Sequence, residues 1–325
     1  MDCSSDESCI NKDEALRLKI AGIAAILVSS LLGVAIPLVF KSFNRTRVFF
    51  AGQCFAAGVI LSTGFVHILP DAFAALTNPC LSEHPWEKFP FPGFIAMTTS
   101  MLVLFVDSMA LGYYTRREGE TSSMGDHADH PHHVHAHPSN DHSAEVSKVH
   151  DSQELEASAG STTTTIKNKV VAQVLEFGIL AHSVIIGIAM GTSNSPCTVR
   201  PLVGALVFHQ FFEGLALGGC ISLGSFKAVS KLLMALFFTI TTPGGIGIGM
   251  IISSRYNEND PKALIVEGVF DSMSAGILIY MALVDLLASH FMSKEFLQQS
   301  WRHYSLGYLF LVLGAGAMSV IAIWA

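Results

Sequence analysis

Charge is what this 325-residue chain lacks most: 14 % of its residues are Asp, Glu, Lys or Arg, where soluble globular chains carry about 25 %. Half of its residues are apolar and its mean hydropathy is +0.48. One compact core cannot bury that much apolar surface, so the chain reads as a polytopic membrane protein. It also lacks a basic excess: the net charge is −7 and no long basic face occurs, which argues against a nucleic-acid partner. Its first residues, Met1-Asp2-Cys3-Ser4-Ser5-Asp6-Glu7, lack the positive charge of a secretory leader, so the first apolar stretch is expected to stay as a span. A His-Glu-x-x-His motif is missing too, which removes the zinc-hydrolase signature; neither a catalytic residue nor a resident cofactor is indicated.

What is present is eight apolar stretches, each long enough to cross a hydrocarbon core as a helix of about 20 residues. They run from Ile20 to Phe40, Val48 to Pro70, Gly93 to Tyr114, Val170 to Gly191, Pro201 to Gly224, Leu232 to Ser254, Ala263 to His290 and Tyr304 to Ala325. The expected fold is all-α, with a polar N-terminus over 1–19, three spans within 20–114, a polar loop over 115–169 and five spans within 170–325. With the N-terminus outside, 12 of the 19 Lys and Arg fall on the inner side, among them Arg116, Arg117, Lys167 and Lys169 next to spans. The positive-inside rule therefore favours both termini outside the cell, with the plasma membrane as the expected location. Cys3, Cys9, Cys80 and Cys197 then face outward, where disulfides are permitted in three pairings, while Cys54 and Cys220 lie within spans.

Ionisable residues inside spans are costly, about 2.5–3.5 kcal/mol for a central Asp on insertion scales, so each is a functional candidate. His67/Asp71, His209/Glu213 and Glu267/Asp271 are i, i+4 pairs, each with both side chains on one helix face. An imidazole and a carboxylate so placed can clasp a divalent cation, because N and O donors both suit Zn²⁺ and its neighbours. Span four reads His182-Ser183-Val184-Ile185-Ile186-Gly187 and span five reads His209-Gln210-Phe211-Phe212-Glu213-Gly214. These are two copies of one template at similar depth, with a glycine that lets helices approach closely. Packing alone explains a single His on an apolar helix, but not the matched pair with Glu213. For Glu176, Glu267 and His290, close to span ends, solvation is the better account, and Asp107 and Asp271 stand evenly between the two.

The loop is rich in Ser, Thr, Asp, Glu and His and is expected to be disordered. Eight of the 14 histidines fall within 24 residues there: His127, His130, His132, His133, His135, His137, His142 and His150. Such tracts bind Zn²⁺ loosely without a fold, which suits a cytosolic buffer or sensor.

Taken together, these motifs resemble the ZIP family of divalent metal transporters, and most of all its plant zinc/iron-uptake branch. The resemblance is carried by the two His motifs and supported by His67-Ile68-Leu69-Pro70-Asp71, Asp107-Ser108-Met109-Ala110, Thr241-Thr242-Pro243, the His-rich loop and the closing Ile323-Trp324-Ala325. It implies passage of Zn²⁺ or Fe²⁺ into the cytosol through a site between spans four and five. By position, His182, His209 and Glu213 would be primary ligands with Ser183 and Gln210 beside them; His67, Asp71 and Asp107 would serve entry, and Asp285 release. Some members carry a Glu where this chain has Ile186, and Thr242 stands where two-metal members have a carboxylate, so a one-metal site is expected. The expected partners are the metal ion and the bilayer, with a homodimer left open. An iron or manganese importer of the same family and a non-transporting metal sensor are the alternatives, whereas exporters of the cation-diffusion class have six spans.

Overall fold

The computed structural model describes residues 11–40, 46–125, 169–253, 260–288, 291–292, 298 and 300–323. The histidines of the loop, His127, His130, His132, His133, His135 and His137 among them, lie outside these residues, as do Cys3 and Cys9. Eight helices are long and apolar enough to span: α1 Lys12–Val39, α2 Arg47–Leu76, α3 with its span Phe91–Ala110, α4 Lys169–Thr192, α5 Pro196–Leu223, α6 Ala228–Ile252, α7 Pro261–Ala288 and α8 Trp301–Ile321. No strand occurs among the described residues. The chain is thus an all-α, multi-pass integral membrane protein. An even number of spans puts the start of α1 and the end of α8 on one face, the terminal face; the end of α3 and the start of α4 lie on the other, the loop face.

Local chemistry sets the helix boundaries. Asn11 caps α1 by accepting from the Glu14 amide at 3.2 Å, and Asp13 and Glu14 favour its positive end. Thr46 caps α2 through the Phe49 amide at 3.2 Å, and Asp260 caps α7 through the Lys262 amide at 2.8 Å, with Pro261 at the first helical position. Helix α3 continues to Gly125, through the first eleven residues of the segment expected to be loop from Thr115 onward. The reason is propensity: Arg116, Arg117, Glu118 and Glu120 are good helix formers, and polarity at a membrane exit does not end a helix.

Two helices widen into π-turns, α2 over Thr63–Ile68 and α7 over Met281–Ala288. The first lies just before Pro70, whose missing N–H and bulky ring disturb the α-ladder. The widening places an extra residue in the turn that carries His67. The second carries Asp285.

Packing divides the eight helices into two groups. In the first, α1 lies along α5 and α6, and α4 lies against α6. Ser29 donates to the Val207 carbonyl at 2.6 Å, and Lys19 donates to the Gly191 carbonyl at 2.7 Å near the C-terminal end of α4, where a cation complements the helix dipole. In the second, α2 lies along α8, and α7 against α3 and the last third of α2. Here Ser62 and Ser319 share a hydrogen bond at 2.9 Å, and Ser100 donates to the Gly276 carbonyl at 2.8 Å. Glycine makes the tightest of these seams possible: a Cβ on Gly187 would stand 2.7 Å from the Thr242 carbonyl oxygen and 3.0 Å from the Gly245 Cα. The two groups meet chiefly where α2 faces α5. Cys80 and Cys197 are each engaged in a disulfide, whereas Cys54 and Cys220 are buried free thiols.

Candidate metal centre

Three imidazoles converge in the seam between the groups. The π-turn of α2 presents His67 from one group; α4 presents His182 and α5 presents His209 from the other. Their ring centroids are 6.4 Å apart for His67–His182, 6.2 Å for His67–His209 and 6.0 Å for His182–His209. His67 was expected at the entry, apart from the primary ligands; the structure sets it beside them. The three are 3, 2 and 0 % exposed, and Glu213, one turn from His209, is 0 % exposed.

None of this burial is compensated by hydrogen bonds. Both ring nitrogens of His182 and of His209, Nε2 of His67, both carboxylate oxygens of Glu213, Oγ of Ser183, Nε2 of Gln210 and Oγ1 of Thr242 are buried without a partner. Each such group costs about 1–3 kcal/mol of lost hydration. Thr242 belongs to the set because its backbone lies against Gly187, one turn along α4 from Ser183. The donor chemistry is imidazole, carboxylate, hydroxyl and amide, a set that suits borderline divalent ions.

The arrangement is looser than a closed coordination shell. Three imidazoles on one Zn²⁺ at about 2.0–2.1 Å have ring centres about 5–5.5 Å apart, so the rings must close by roughly an ångström to share an ion. Accordingly, no group of three or more His, Cys, Asp or Glu among the described residues is close enough to hold a metal as it stands.

Carboxylates flank the histidines on the terminal-face side. Asp71 Oδ2 lies 3.6 Å from His67 Nδ1, with the Asp71 side chain 53 % exposed. The charge of Glu267 reaches both Asp71 and the buried Asp271, so the i, i+4 pair of α7 faces the pair of α2. The i, i+4 spacing of Glu267 and Asp271 flagged that pair, but nothing in sequence placed it opposite Asp71.

Asp107 lies elsewhere. It stands about 24 Å along α3 from Phe91, whereas Asp71 is about 8 Å from the terminal-face end of α2, at 1.5 Å per residue. There Asp107 accepts a hydrogen bond from the Tyr280 hydroxyl at 3.2 Å. Asp285 acts electrostatically on that same phenol and on Cys220. The structure therefore separates Asp107 from His67 and Asp71, with which it was grouped as an entry residue, and sets it with Asp285 in the loop-face half. Tyr280 escaped sequence reasoning because a tyrosine in a span reads as an interfacial anchor.

Comparison with known proteins agrees with this architecture. The family model "ZIP Zinc transporter" matches residues 16–322. The chain is 46 % identical to "Zinc transporter 3" of Oryza sativa subsp. japonica, covering 100 % of this chain and 93 % of that protein. It is 43 % identical to "Fe(2+) transport protein 1" of Arabidopsis thaliana, over 100 % of this chain and 91 % of that one. It is likewise 42 % identical to "Fe(2+) transport protein 3, chloroplastic" of Arabidopsis thaliana, over 99 % and 89 %. Three imidazoles and a carboxylate at the seam of an eight-helix membrane protein, within a family match that spans nearly the whole chain, lead to one assignment: the chain belongs to the ZIP family of divalent metal transporters.

Proposed function

We propose that this protein imports Zn²⁺ across the plasma membrane into the cytosol, with the terminal face outside and the loop face inside. The observation that carries this reading is the convergence of the His67, His182 and His209 rings, with Glu213 one helical turn from His209, all buried and all with unpartnered donor atoms. An ion held there exchanges its hydration shell for imidazole nitrogens and carboxylate oxygens, which offsets part of the cost of leaving water. Ser183, Gln210 and Thr242 lie close by and bind water or orient the ligands. Asp71, Glu267 and Asp271 form the approach from outside, and Asp107 and Asp285 the departure toward the cytosol.

The ligand set straddles two internally welded helix groups, which favours a carrier in which one group shifts against the other over a continuous pore. Imidazole and carboxylate must be deprotonated to bind, so uptake falls as the medium is acidified. The His tract of the loop serves as a cytosolic buffer that senses incoming metal. The relatives' names divide between zinc and Fe(2+), and an N/O ligand set discriminates weakly among such ions. The test is accumulation of ⁶⁵Zn in cells with and without the protein, competed by Fe²⁺, Mn²⁺ and Cd²⁺. Zinc-selective inward flux is expected. Iron or manganese outcompeting zinc moves the preference to those ions, and metal binding without flux turns the protein into a sensor.

A further inference from the structure

Below the histidines, toward the loop face, one side chain of the second helix group enters the first. Gln53, on α2, donates from Nε2 to the Leu215 carbonyl of α5 at 3.0 Å, in a buried position. Its amide occupies the slot left by Gly219: a Cβ there would overlap Gln53 Nε2 and stand 3.1 Å from its Cδ. The Leu215 side chain in turn rests on Gly52, 3.3 Å from where a Cβ would be. A small cleft opens beside Gln53 on its own side of the seam, lined by Cys54, Ala57, Leu286, Leu287 and Phe291.

The position matters because of what shares the helix face. His209, Glu213 and Cys220 follow at steps of four and seven, so they form one stripe along α5. Cys220 is next to Asp285. An ion leaving Glu213 for the loop face follows that stripe, and Gln53 grips α5 at Leu215 and Gly219, beside it. Helices α2 and α5 thus meet at His67 and His209, at the rings of Phe55 and Phe212, whose centroids are 4.5 Å apart, and at the Gln53 hydrogen bond, a polar side-chain tie between them.

We propose that Gln53 is a latch that keeps the two helix groups shut at the loop face, and that its withdrawal from the Gly219 slot accompanies release of the ion. This rests on the transporter reading above, with the exit at the loop face. The amide is well suited to the task. It makes a neutral hydrogen bond that breaks at modest cost, and it bonds to a carbonyl already used within α5, so neither partner is left stranded when it leaves.

The buried thiol of Cys220 adjoins the slot and reports on it. Inside-out vesicles are treated with a membrane-impermeant maleimide, and modification of the Cys220 peptide is followed by mass spectrometry. Gln53→Ala is expected to speed modification about fivefold, the size that one net hydrogen bond commands. Gln53→Met, which keeps the bulk and loses the bond, should fall between. Gly219→Ala, which evicts the amide, should match Gln53→Ala, and adding Gly219→Ala to Gln53→Ala should change nothing more, because the two residues act as one unit. Unchanged modification in Gln53→Ala and Gln53→Met overturns the latch, and so does a Gly219→Ala effect that is undiminished in the Gln53→Ala background. ⁶⁵Zn flux is measured on the same vesicles. Wild-type vesicles without flux refute the transporter reading while the thiol readout still decides whether Gln53 holds the groups together.

Discussion

The seams inside each helix group and the seam between the groups are built differently. Inside, most of the close glycines lie on backbone: Gly187 and Gly245 meet between α4 and α6, and Gly58 and Gly314 bring α2 and α8 together, while Gly22 and Gly268 meet side chains. Between the groups, the glycines meet side chains instead, Gly219 facing Gln53 and Gly178 facing Ile277. Side chains can change rotamer and backbones cannot, so a seam of the first kind is fixed and one of the second can slide. The unpartnered imidazoles and Glu213 sit on the second kind. The proposed cargo site therefore coincides with the seam where side chains, rather than backbone, make the contact.

The contrast breaks most sharply at a fixed seam. Gly187→Leu drives a side chain into the α6 backbone, and the expected result is loss of folded protein, seen as a collapsed size-exclusion peak and absent surface signal; overpacking of side chains alone costs about 1–3 kcal/mol. At the sliding seam, His182→Ala or Glu213→Ala should leave expression and melting temperature near wild type while ⁶⁵Zn uptake falls to background. Wild-type uptake in either variant removes the site assignment. His67→Ala sharpens the comparison further, because His67 belongs to the opposite group. Its loss should raise the zinc KM about tenfold, the weight of about 1.4 kcal/mol of binding, with a smaller loss of maximal rate. An equal loss of both would place His67 with the primary ligands of α4 and α5. Asp71→Asn should raise KM only a few-fold, and the rise should shrink with added salt, as expected for an exposed charge that attracts cations. The smallest effect belongs to deletion of 126–150, which should leave the transport rate unchanged and alter its response to excess zinc; an inactive deletion would put the loop on the path.

Much of this was legible in the residues. Span count followed from hydropathy, because a bilayer sets helix length directly. His182 and His209 announced themselves through their repeated template. The placing of His67 did not, since sequence shows Pro70 but not how the preceding turn absorbs it, and the extra π-turn residue decides which way His67 points. Asp107 was grouped with Asp71 on the family resemblance; counting residues from the end of each helix separates them, as antiparallel helices run depth in opposite directions. Glu267 looked solvated near a span end, and its proximity to Asp71 depends on tertiary packing of α7 against α2, which no local pattern encodes. The division into two groups was likewise hidden, because glycines read the same in sequence whichever partner they meet.

The widened turns of α2 and α7 have an evolutionary corollary. Each holds one more residue than a regular coil of the same height, and one residue corresponds to about 100° of azimuth. Excising a single amino acid from Thr63–Ile68 would restore a regular helix of nearly the same height and leave both flanks facing as they do now, re-aiming only the residues of the turn itself, the His67 imidazole among them, while every loop stayed the same length. Relatives with altered ion preference are therefore to be sought among single-codon insertions and deletions at these two places as much as among substitutions.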